Sequence, residues 1–463
     1  MRKMAGLALM IGAALAAGCN SNNDSDSPAP GAKNVIFFLG DGMGLNTLTA
    51  ARIYAVGEEG SLTMDNLPET AFIKTFSHDS QVTDSAPSMA AYMTGVKSNN
   101  GVISMDGDAT YESDCSKSAG KPVTTLLELA KADGRGTGVV TSTRVTHATP
   151  AATYAHICNR DLENDIAAQL VPGGTGYNGA LKEGLDVVLG GGSGFFLPKA
   201  DKGKREDGRN LISEMQAKGY QFASNLDELN KAEAGKPLLG LFGASHMKYD
   251  LDRPASEPSL TQMTLAAIKQ LKDKEKGYFL MVEGGRIDHA LHDTNAKRAL
   301  QDTLAFDNAI KAAIDEVKKS DPELKNTLIV VTADHDHTLV LNGYAKRTGK
   351  TTADNPGVLG LVRNYETGEP SKDSDGMPYT IIGFGNGYNR VDGPRSNVAA
   401  LDDATVSAND YHQEVVVKVG EIGNETHGGT DVFLGAIGQG ADSFHGSLDN
   451  TAVFGKVKAA AGL

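Results

Sequence analysis

Short, continuously apolar segments alternate with amphipathic segments over most of this 463-residue chain. The apolar segments, rich in β-branched residues, are VIFFLG, TGVVTST, LDVVLGGG, YFLMVEGG and TLIVVTAD. Between them the apolar residues recur with a helical period, as in VTTLLELAKA, LTQMTLAAIKQLKD and LQDTLAFDNAIKAAIDEVKK. Strands that are apolar on both sides are covered on both faces, and their alternation with helices is typical of parallel sheets. We therefore predict an α/β fold with a large, mostly parallel central sheet and helices on both of its faces.

One long region interrupts this alternation. Residues 341–424 are rich in Gly, Pro, Asn and Asp and contain no comparable sequence of apolar segments. The segment DVFLGAIG, which follows that region, again reads as a buried strand. We predict a core formed by residues 34–340 and 425–463, an insertion at 341–424, and DVFLGAIG as the last strand of the core.

The charge of the chain limits its partners. The formal net charge is −14, and no extended run of Lys and Arg is present. This balance argues against nucleic acid or an anionic membrane surface as the main partner.

The N-terminus has the composition of a secretory signal. Arg2 and Lys3 precede an apolar segment that is too short to span a bilayer, and small residues follow it. The ending LAAGC resembles a bacterial lipobox, so we predict a signal peptide at 1–18, lipidation of Cys19 and a flexible tether at 19–33. The alternative is ordinary cleavage, which would release a soluble periplasmic protein. Both interpretations predict export, to the periplasm or the cell surface, and lipidation adds a membrane anchor.

The remaining two cysteines are Cys115 and Cys158. Export to an oxidising compartment favours a disulfide between them. Two separate buried thiols are the alternative, because sequence spacing does not fix the geometry of a pair.

Carboxylate, imidazole and hydroxyl side chains occur in groups where the predicted strands end. Asp41 follows VIFFLG. Asp334 is the last residue of TLIVVTAD, and His335 comes directly after it. The strand YFLMVEGG contains Glu283 and leads to Asp288 and His292, which lie on one face if that segment is helical. Three more candidates, His147, Thr149 and Arg160, follow TGVVTST, and His427 precedes DVFLGAIG.

Each of these clusters has an ordinary interpretation, such as a turn aspartate, a capped loop or a surface hydrogen-bonded pair. The carboxyl ends of parallel strands nevertheless lie along one edge of a sheet, where one pocket would collect all of the clusters. Carboxylates and imidazoles together suit zinc. A single site with several metals explains every cluster at once.

The segment VTDSAPSMAAYMTG is typical of a helix start. Thr83 and Asp84 are suited to cap free backbone N–H groups, and Pro87 fits the first turn. The same N-terminus favours an anionic phosphoryl group, which makes its hydroxyls candidate nucleophiles. The segment alone favours the structural interpretation.

Six segments together give the chain its resemblance to the metal-dependent alkaline phosphatases. They are GDGMG, VTDSAPSMAAYMTGVK, THATPAATYAHICNR, VEGGRIDHALH, VTADHDH and ETHGG, in the order of that family and spanning Asn34 to Leu463. The resemblance implies an alkaline phosphatase-like core with a crown-like insertion at 341–424, and a homodimer. It implies hydrolysis of phosphate monoesters through a covalent phosphoserine.

The resemblance also implies two zinc ions and one magnesium ion per subunit. Zinc 1 would be held by Asp288, His292 and His427; zinc 2 by Asp41, Ser85, Asp334 and His335; and magnesium by Asp41, Thr149 and Glu283. Ser85 would be the nucleophile, Arg160 would hold the phosphate, and Asp84 would orient Arg160. His147 would lie beside the magnesium ligands and His289 near the phosphate, as in the animal-type enzymes.

Two alternatives remain from the sequence. A phosphodiesterase of the same superfamily would share the two-metal core, although the set of Ser85, Arg160, Thr149 and Glu283 favours the monoesterase. A non-catalytic, metal-binding surface lipoprotein would be favoured by the loss of Ser85, Arg160 or a zinc ligand, and all of these are present.

Overall fold

The computed structural model of the protein describes residues 31–463. Its strands are β1 Asn34–Gly40, β2 Glu69–Lys74, β3 Gly136–Arg144, β4 Val187–Gly191, β5 Gln221–Ala223, β6 Leu238–Leu241, β7 Tyr278–Gly284, β8 Thr327–Ala333, β9 Asp336–His337, β10 Leu339–Leu341, β11 Ile382–Gly387, β12 Val415–Lys418, β13 His427–Gly428, β14 Val432–Gly438 and β15 Gly446–Asp449. Its α-helices are α1 Leu45–Val56, α2 Ser85–Thr94, α3 Leu126–Asp133, α4 Ala148–Tyr154, α5 Glu163–Ala168, α6 Leu211–Ala217, α7 Leu226–Lys231, α8 Leu260–Leu271, α9 Arg286–His292, α10 Ala296–Lys318, α11 Asp403–Val406 and α12 Asn450–Ala461. The predicted signal segment and Cys19 lie outside the described residues.

Ten strands form the central sheet, in the order β15-β2-β14-β8-β1-β7-β3-β4-β6-β5. All pairings are parallel except those of β14 with β2 and with β8. Strands β1, β7 and β8 at its centre are almost wholly buried, as their continuous apolar composition predicts. The predicted large, mostly parallel sheet is confirmed.

Helices cover both faces of the sheet. Helices α8 and α10 pack on each other and contact β1, β3, β4 and β7. A second group of helices, α2, α3, α4 and α12, also reaches β1, β3 and β7. Several of these helices begin where the sequence supplies a cap: Thr125 and Glu128 form a capping box for α3, and Ser259 and Gln262 form one for α8.

The structure corrects the prediction for DVFLGAIG, which forms β14, in its order and its direction. DVFLGAIG does enter the central sheet, but it is not the last strand, because β15 follows it. It also runs antiparallel to β8, with Leu434 opposite Thr332 and Gly438 opposite Leu328. The start of β14 therefore lies at the edge where β8 ends. His427 reaches the common edge from the amino end of a strand rather than from a carboxyl end.

A smaller sheet lies within the region between β8 and β14. It has the order β10-β11-β12, with β10 antiparallel and β12 parallel to β11. The short strands β9 and β13 pair separately and place His337 opposite His427. Within residues 31–463, the helices are all too short or too polar to cross a membrane.

Candidate active site

Ser85 is the first residue of α2. Asp84 caps this helix, since its Oδ1 accepts a hydrogen bond of 2.7 Å from the backbone N–H of Ala86. Gly95 ends the helix in the left-handed conformation at a φ of 73°, which glycine adopts at little cost. Ser85 itself is buried, with 2% of its surface exposed. The helix start thus holds one hydroxyl inside the protein at a helix N-terminus.

Three predicted ligands surround the Ser85 hydroxyl. Its Oγ lies 3.4 Å from Asp41 Oδ1 and 3.2 Å from His335 Nε2. His335 Nε2 also lies 3.4 Å from Asp41 Oδ1 and 3.4 Å from Asp334 Oδ2. Asp41 follows β1, while Asp334 and His335 follow its neighbour β8, so the parallel register brings them together. We call these four residues the serine cluster.

A second cluster lies beside the serine cluster. Asp288 and His292 lie four residues apart on α9, and Asp288 Oδ1 is 3.3 Å from His292 Nε2. His427 Nε2 lies 3.1 Å from His292 Nε2 and 3.6 Å from Asp288 Oδ1. We call these three residues the histidine cluster. The imidazoles of His335 and His427 stack with their centroids 3.6 Å apart, so the two clusters adjoin.

The spacing of these atoms fits a metal. Ligands on a tetrahedral zinc, with bonds of about 2.0 to 2.2 Å, lie about 3.3 to 3.6 Å from one another. The separations in both clusters lie at or close to that range. Asp334 Oδ2 is also buried without a hydrogen-bond partner among residues 31–463, which is costly unless a cation accompanies it. The residues present therefore fit zinc.

Oxygen ligands gather on the far side of Asp41. Its Oδ2 lies 3.4 Å from Thr149 Oγ1, and a carboxylate oxygen of Glu283 lies within 4.8 Å of an oxygen of Asp41. Glu283 Oε2 accepts hydrogen bonds from the hydroxyls of Thr141 and Thr143, whereas Oε1 is buried without a described partner. A set of carboxylate and hydroxyl oxygens suits magnesium.

The carboxylates at this edge repel one another. Burial raises the pKa of Asp41 well above its ordinary value, and the charges of Asp288 and Glu283 raise it further. Burial also raises the pKa of Asp334, helped by the charge of Asp41, and raises that of Glu283 to about 7. Buried like charges of this kind are expected where cations neutralise them.

Arg160 reaches the same pocket from the segment after α4. Its Nη1 donates a hydrogen bond of 3.0 Å to Asp84 Oδ1, and its Nη2 lies 3.0 Å from His147 Nε2. The backbone N–H of Arg160 donates to the carbonyl of Gly101, whose own N–H donates to Asp84 Oδ2. Asp84 thus joins the helix start to the arginine.

A disulfide lies near Arg160. Cys158, two residues before Arg160, is bonded to Cys115. The neighbouring Asn159 donates a hydrogen bond of 3.0 Å to the carbonyl of Glu112. The segment that precedes Arg160 is therefore fixed by one covalent and one polar contact to the loop around residue 112.

Sequence reasoning missed His337 and Glu425. His337 Nε2 lies 2.8 Å from Asp288 Oδ1, and its Nδ1 lies 2.5 Å from Glu425 Oε2. Both side chains are buried, so His337 holds Asp288 and Glu425 in turn holds His337. The sequence contained a signal, since His337 belongs to the same DHDH segment as His335. Gly42 completes the packing: its φ is +68°, and a Cβ there would lie 2.6 Å from His337 Nε2.

His147 and His289 lie together, and a third histidine joins them. Their ring centroids are 5.4 Å apart, and His246, which was not among the predicted site residues, lies 5.4 Å from His147 and 4.2 Å from His289. His246 follows β6, a strand that the sequence analysis did not predict.

Comparison with known proteins identifies the family. The alkaline phosphatase family model matches residues 32–463. A membrane-bound alkaline phosphatase of Bombyx mori is 38% identical over 463 residues, covering 91% of this chain and 78% of that protein. The tissue-nonspecific alkaline phosphatase of Gallus gallus is 38% identical, covering 90% of this chain and 82% of that protein. The solved structure of Thermus thermophilus alkaline phosphatase matches with a TM-score of 0.67 at 28% identity, covering 94% of this chain and 92% of that one. The chain therefore belongs to the alkaline phosphatase family, the enzymes that hydrolyse phosphate monoesters.

Proposed function

We propose that the protein hydrolyses phosphate monoesters through a covalent phosphoserine on Ser85. The Ser85 Oγ forms a bond to phosphorus, the bond from phosphorus to the ester oxygen breaks, and the alcohol leaves with a proton. Water then attacks the phosphoserine, which releases inorganic phosphate and restores the serine hydroxyl. The observation that carries the proposal is the position of the buried Oγ, 3.2 Å from His335 Nε2 and 3.4 Å from Asp41 Oδ1.

We assign the metals as the resemblance implies. The histidine cluster would hold one zinc, the serine cluster would hold the other, and Asp41, Thr149 and Glu283 would hold magnesium. The ligand separations and the unpartnered buried oxygens of Asp334 and Glu283 support this assignment. When bound, such ions supply Lewis acidity that neutralises charge on the phosphoryl oxygens and on the attacking and leaving oxygens.

The chain's own residues would bind and orient the phosphate. A guanidinium matches two phosphate oxygens at once, and Arg160 is aimed by its contacts with Asp84 and His147. The positive end of the α2 dipole lies beside Ser85 and also favours an anion there. Thr141 and Thr143 hold one oxygen of Glu283, which leaves the other oxygen free for an ion.

The test compares two serines of the same helix. Ser85→Ala removes the nucleophile, whereas Ser88→Ala removes a hydroxyl that donates a hydrogen bond of 2.7 Å to the carbonyl of Asp334. We expect Ser85→Ala to keep its zinc content and to lose at least about a thousandfold in turnover of p-nitrophenyl phosphate, with Ser88→Ala close to wild type. Equal turnover by wild type and Ser85→Ala would contradict the phosphoserine mechanism. Faster turnover of bis-p-nitrophenyl phosphate than of the monoester would favour the phosphodiesterase.

We also propose a homodimer that is exported and anchored by lipid on Cys19. Exposed apolar residues of the region 340–422, among them Tyr344, Val416 and Ile422, support an interface there. Light scattering that gives the mass of one chain would contradict the dimer. The anchor would be contradicted by a mature protein that incorporates no labelled fatty acid.

A further inference from the structure

Three histidines and three arginines form one connected group beside the proposed phosphate site. The histidines are His147, His246 and His289, and the arginines are Arg144, Arg160 and Arg286. Each histidine contacts one arginine: His147 contacts Arg160, His246 contacts Arg144, and His289 contacts Arg286. We call this group the donor cluster.

These contacts fix the proton on every imidazole. A guanidinium carries only N–H donors, so the ring nitrogen that faces it must accept and must carry no proton. The other ring nitrogen then bears the proton and is itself a donor. The free nitrogens are therefore donors in all three rings: Nδ1 of His147, Nδ1 of His246 and Nε2 of His289. For His246, burial lowers the pKa, and the nearby His289, Arg144 and Arg286 lower it further, in keeping with a neutral ring.

Acceptors are scarce around these donors. Arg144 pairs with Glu163 and Arg160 pairs with Asp84, whereas Arg286 forms no salt bridge within residues 31–463. His147 Nδ1, His246 Nδ1 and Arg286 Nε are buried and have no hydrogen-bond partner among the described residues. Leaving buried donors without acceptors costs free energy. Once one nitrogen of each imidazole accepts from an arginine, the remaining polar atoms of the group are donors, and three of them are buried and unpartnered, which matches an anion with several acceptor oxygens.

The position of the cluster indicates which anion it would take. Arg160, which would hold the transferred phosphate, contacts His147, and the His147 ring lies 5.4 Å from both His246 and His289. An anion on His246 and Arg286 would therefore be a near neighbour of that phosphate. We propose that His246 and Arg286 form a subsite for a second phosphate of the same substrate, as in pyrophosphate or a nucleoside diphosphate. This inference rests on the proposed function, which places the first phosphate on Arg160.

Two substitutions of His246 test the subsite. His246→Leu removes the Nδ1 donor, whereas His246→Asn keeps an amide N–H close to the position of Nδ1. We expect His246→Leu to lower kcat/KM for pyrophosphate about tenfold, the effect of losing one hydrogen bond to a charged oxygen, with p-nitrophenyl phosphate changed less than about twofold. His246→Asn should keep most of the activity toward pyrophosphate.

Arg286→Gln should lower kcat/KM for pyrophosphate as His246→Leu does, and Arg298→Gln is its matched control. Both Arg286 and Arg298 lie over the ring of Tyr249, at 3.8 and 5.1 Å from its centroid, but Arg298 pairs with Asp252 outside the donor cluster. In Arg298→Gln, kcat/KM for pyrophosphate and for p-nitrophenyl phosphate should both be close to the wild-type values. Equal losses for both substrates in His246→Leu, or no loss for either, would overturn the subsite.

Binding separates this inference from the proposed function. In Ser85→Ala loaded with zinc and magnesium, we expect calorimetry to show pyrophosphate bound at least about tenfold more tightly than inorganic phosphate, with the preference lost on adding His246→Leu. A wild type that hydrolyses no ester but whose Ser85→Ala variant keeps this preference would refute the proposed function and leave the subsite intact. Equal affinity for the two anions would refute the subsite alone.

Discussion

Asp84 performs two tasks that substitution can separate. Its Oδ1 accepts hydrogen bonds from the N–H of Ala86 at 2.7 Å and from Arg160 at 3.0 Å, and its Oδ2 accepts from the N–H of Gly101. Asp84→Ala removes all three contacts. Losing a helix cap costs about 1 kcal/mol, and losing a charge-assisted hydrogen bond costs about 1.5 kcal/mol or more. The side chains of Arg160 and Asp84 are 20% and 22% exposed, so we take the lower value for their pair.

The cap contributes about 1 kcal/mol and the contacts with Arg160 and Gly101 about 1.5 kcal/mol each, so the free energy of unfolding should fall by about 4 kcal/mol in Asp84→Ala. Asp84→Asn keeps one oxygen for Ala86 and Arg160 but turns an amide N–H toward the N–H of Gly101, so we expect a loss of about 2 kcal/mol. Removing a negative charge also favours an anion nearby. We expect the loosened Arg160 to outweigh this effect, because His147 would remain as its only described side-chain partner.

The assay joins stability to phosphate affinity. Urea unfolding gives the stability, and competitive inhibition by inorganic phosphate gives its inhibition constant, which should rise about fivefold in Asp84→Ala. Zinc content, measured on the same samples, controls for loss of metal. An unchanged inhibition constant together with reduced stability would mean that Asp84 only caps α2. A tighter inhibition constant would refute the argument that Asp84 orients the arginine.

Two further predictions concern buried charge. Removing the metals with EDTA should lower the melting temperature, because Asp41, Asp334 and Glu283 then repel one another without a compensating cation. Adding zinc and magnesium should restore the melting temperature. A melting temperature that EDTA leaves unchanged would contradict the metal assignment. Burial raises the pKa of Asp302 from 3.8 to about 8, so the folded protein holds a proton there that the unfolded chain has lost, and stability falls as pH rises through that range. Asp302→Asn keeps an acceptor for the N–H of Asp250. Between about pH 4 and 8 its free energy of unfolding, measured in urea, should rise relative to that of the wild type by up to about 5 kcal/mol. Parallel pH profiles of the free energy of unfolding for the two proteins would exclude this effect.

The sequence predicted the central strands well because burial on both faces leaves a direct compositional record. VIFFLG, YFLMVEGG and TLIVVTAD all lie in the buried centre of the sheet as β1, β7 and β8. The edge strands β15 and β5 and their neighbours β2 and β6 are short or partly exposed, and the sequence analysis did not identify them. Their pattern is weak because fewer of their side chains must be apolar.

The same distinction between local and distant signals applies to the residues of the candidate site. Asp41, Asp334 and Asp288 were found because each follows a strand that is easy to recognise. The resemblance to the family then supplied their proposed roles. His337 and Glu425 lie two residues from His335 and His427, but their roles were missed because these depend on contacts with each other and with Asp288, across distant segments. His246 was missed because it reaches the site only through contacts between segments that are distant in the chain.

The sequence alone determined the fold class, the edge of the sheet that collects the polar clusters, and the family, because apolar periodicity and short motifs are local properties. The tertiary structure decided how the clusters meet. The antiparallel direction of β14 brings His427 to the edge where β8 ends, and the packing of β6 against β4 places the segment of His246 beside His147 and His289. Strand direction and order depend on contacts between distant segments, and no local pattern of residues records them.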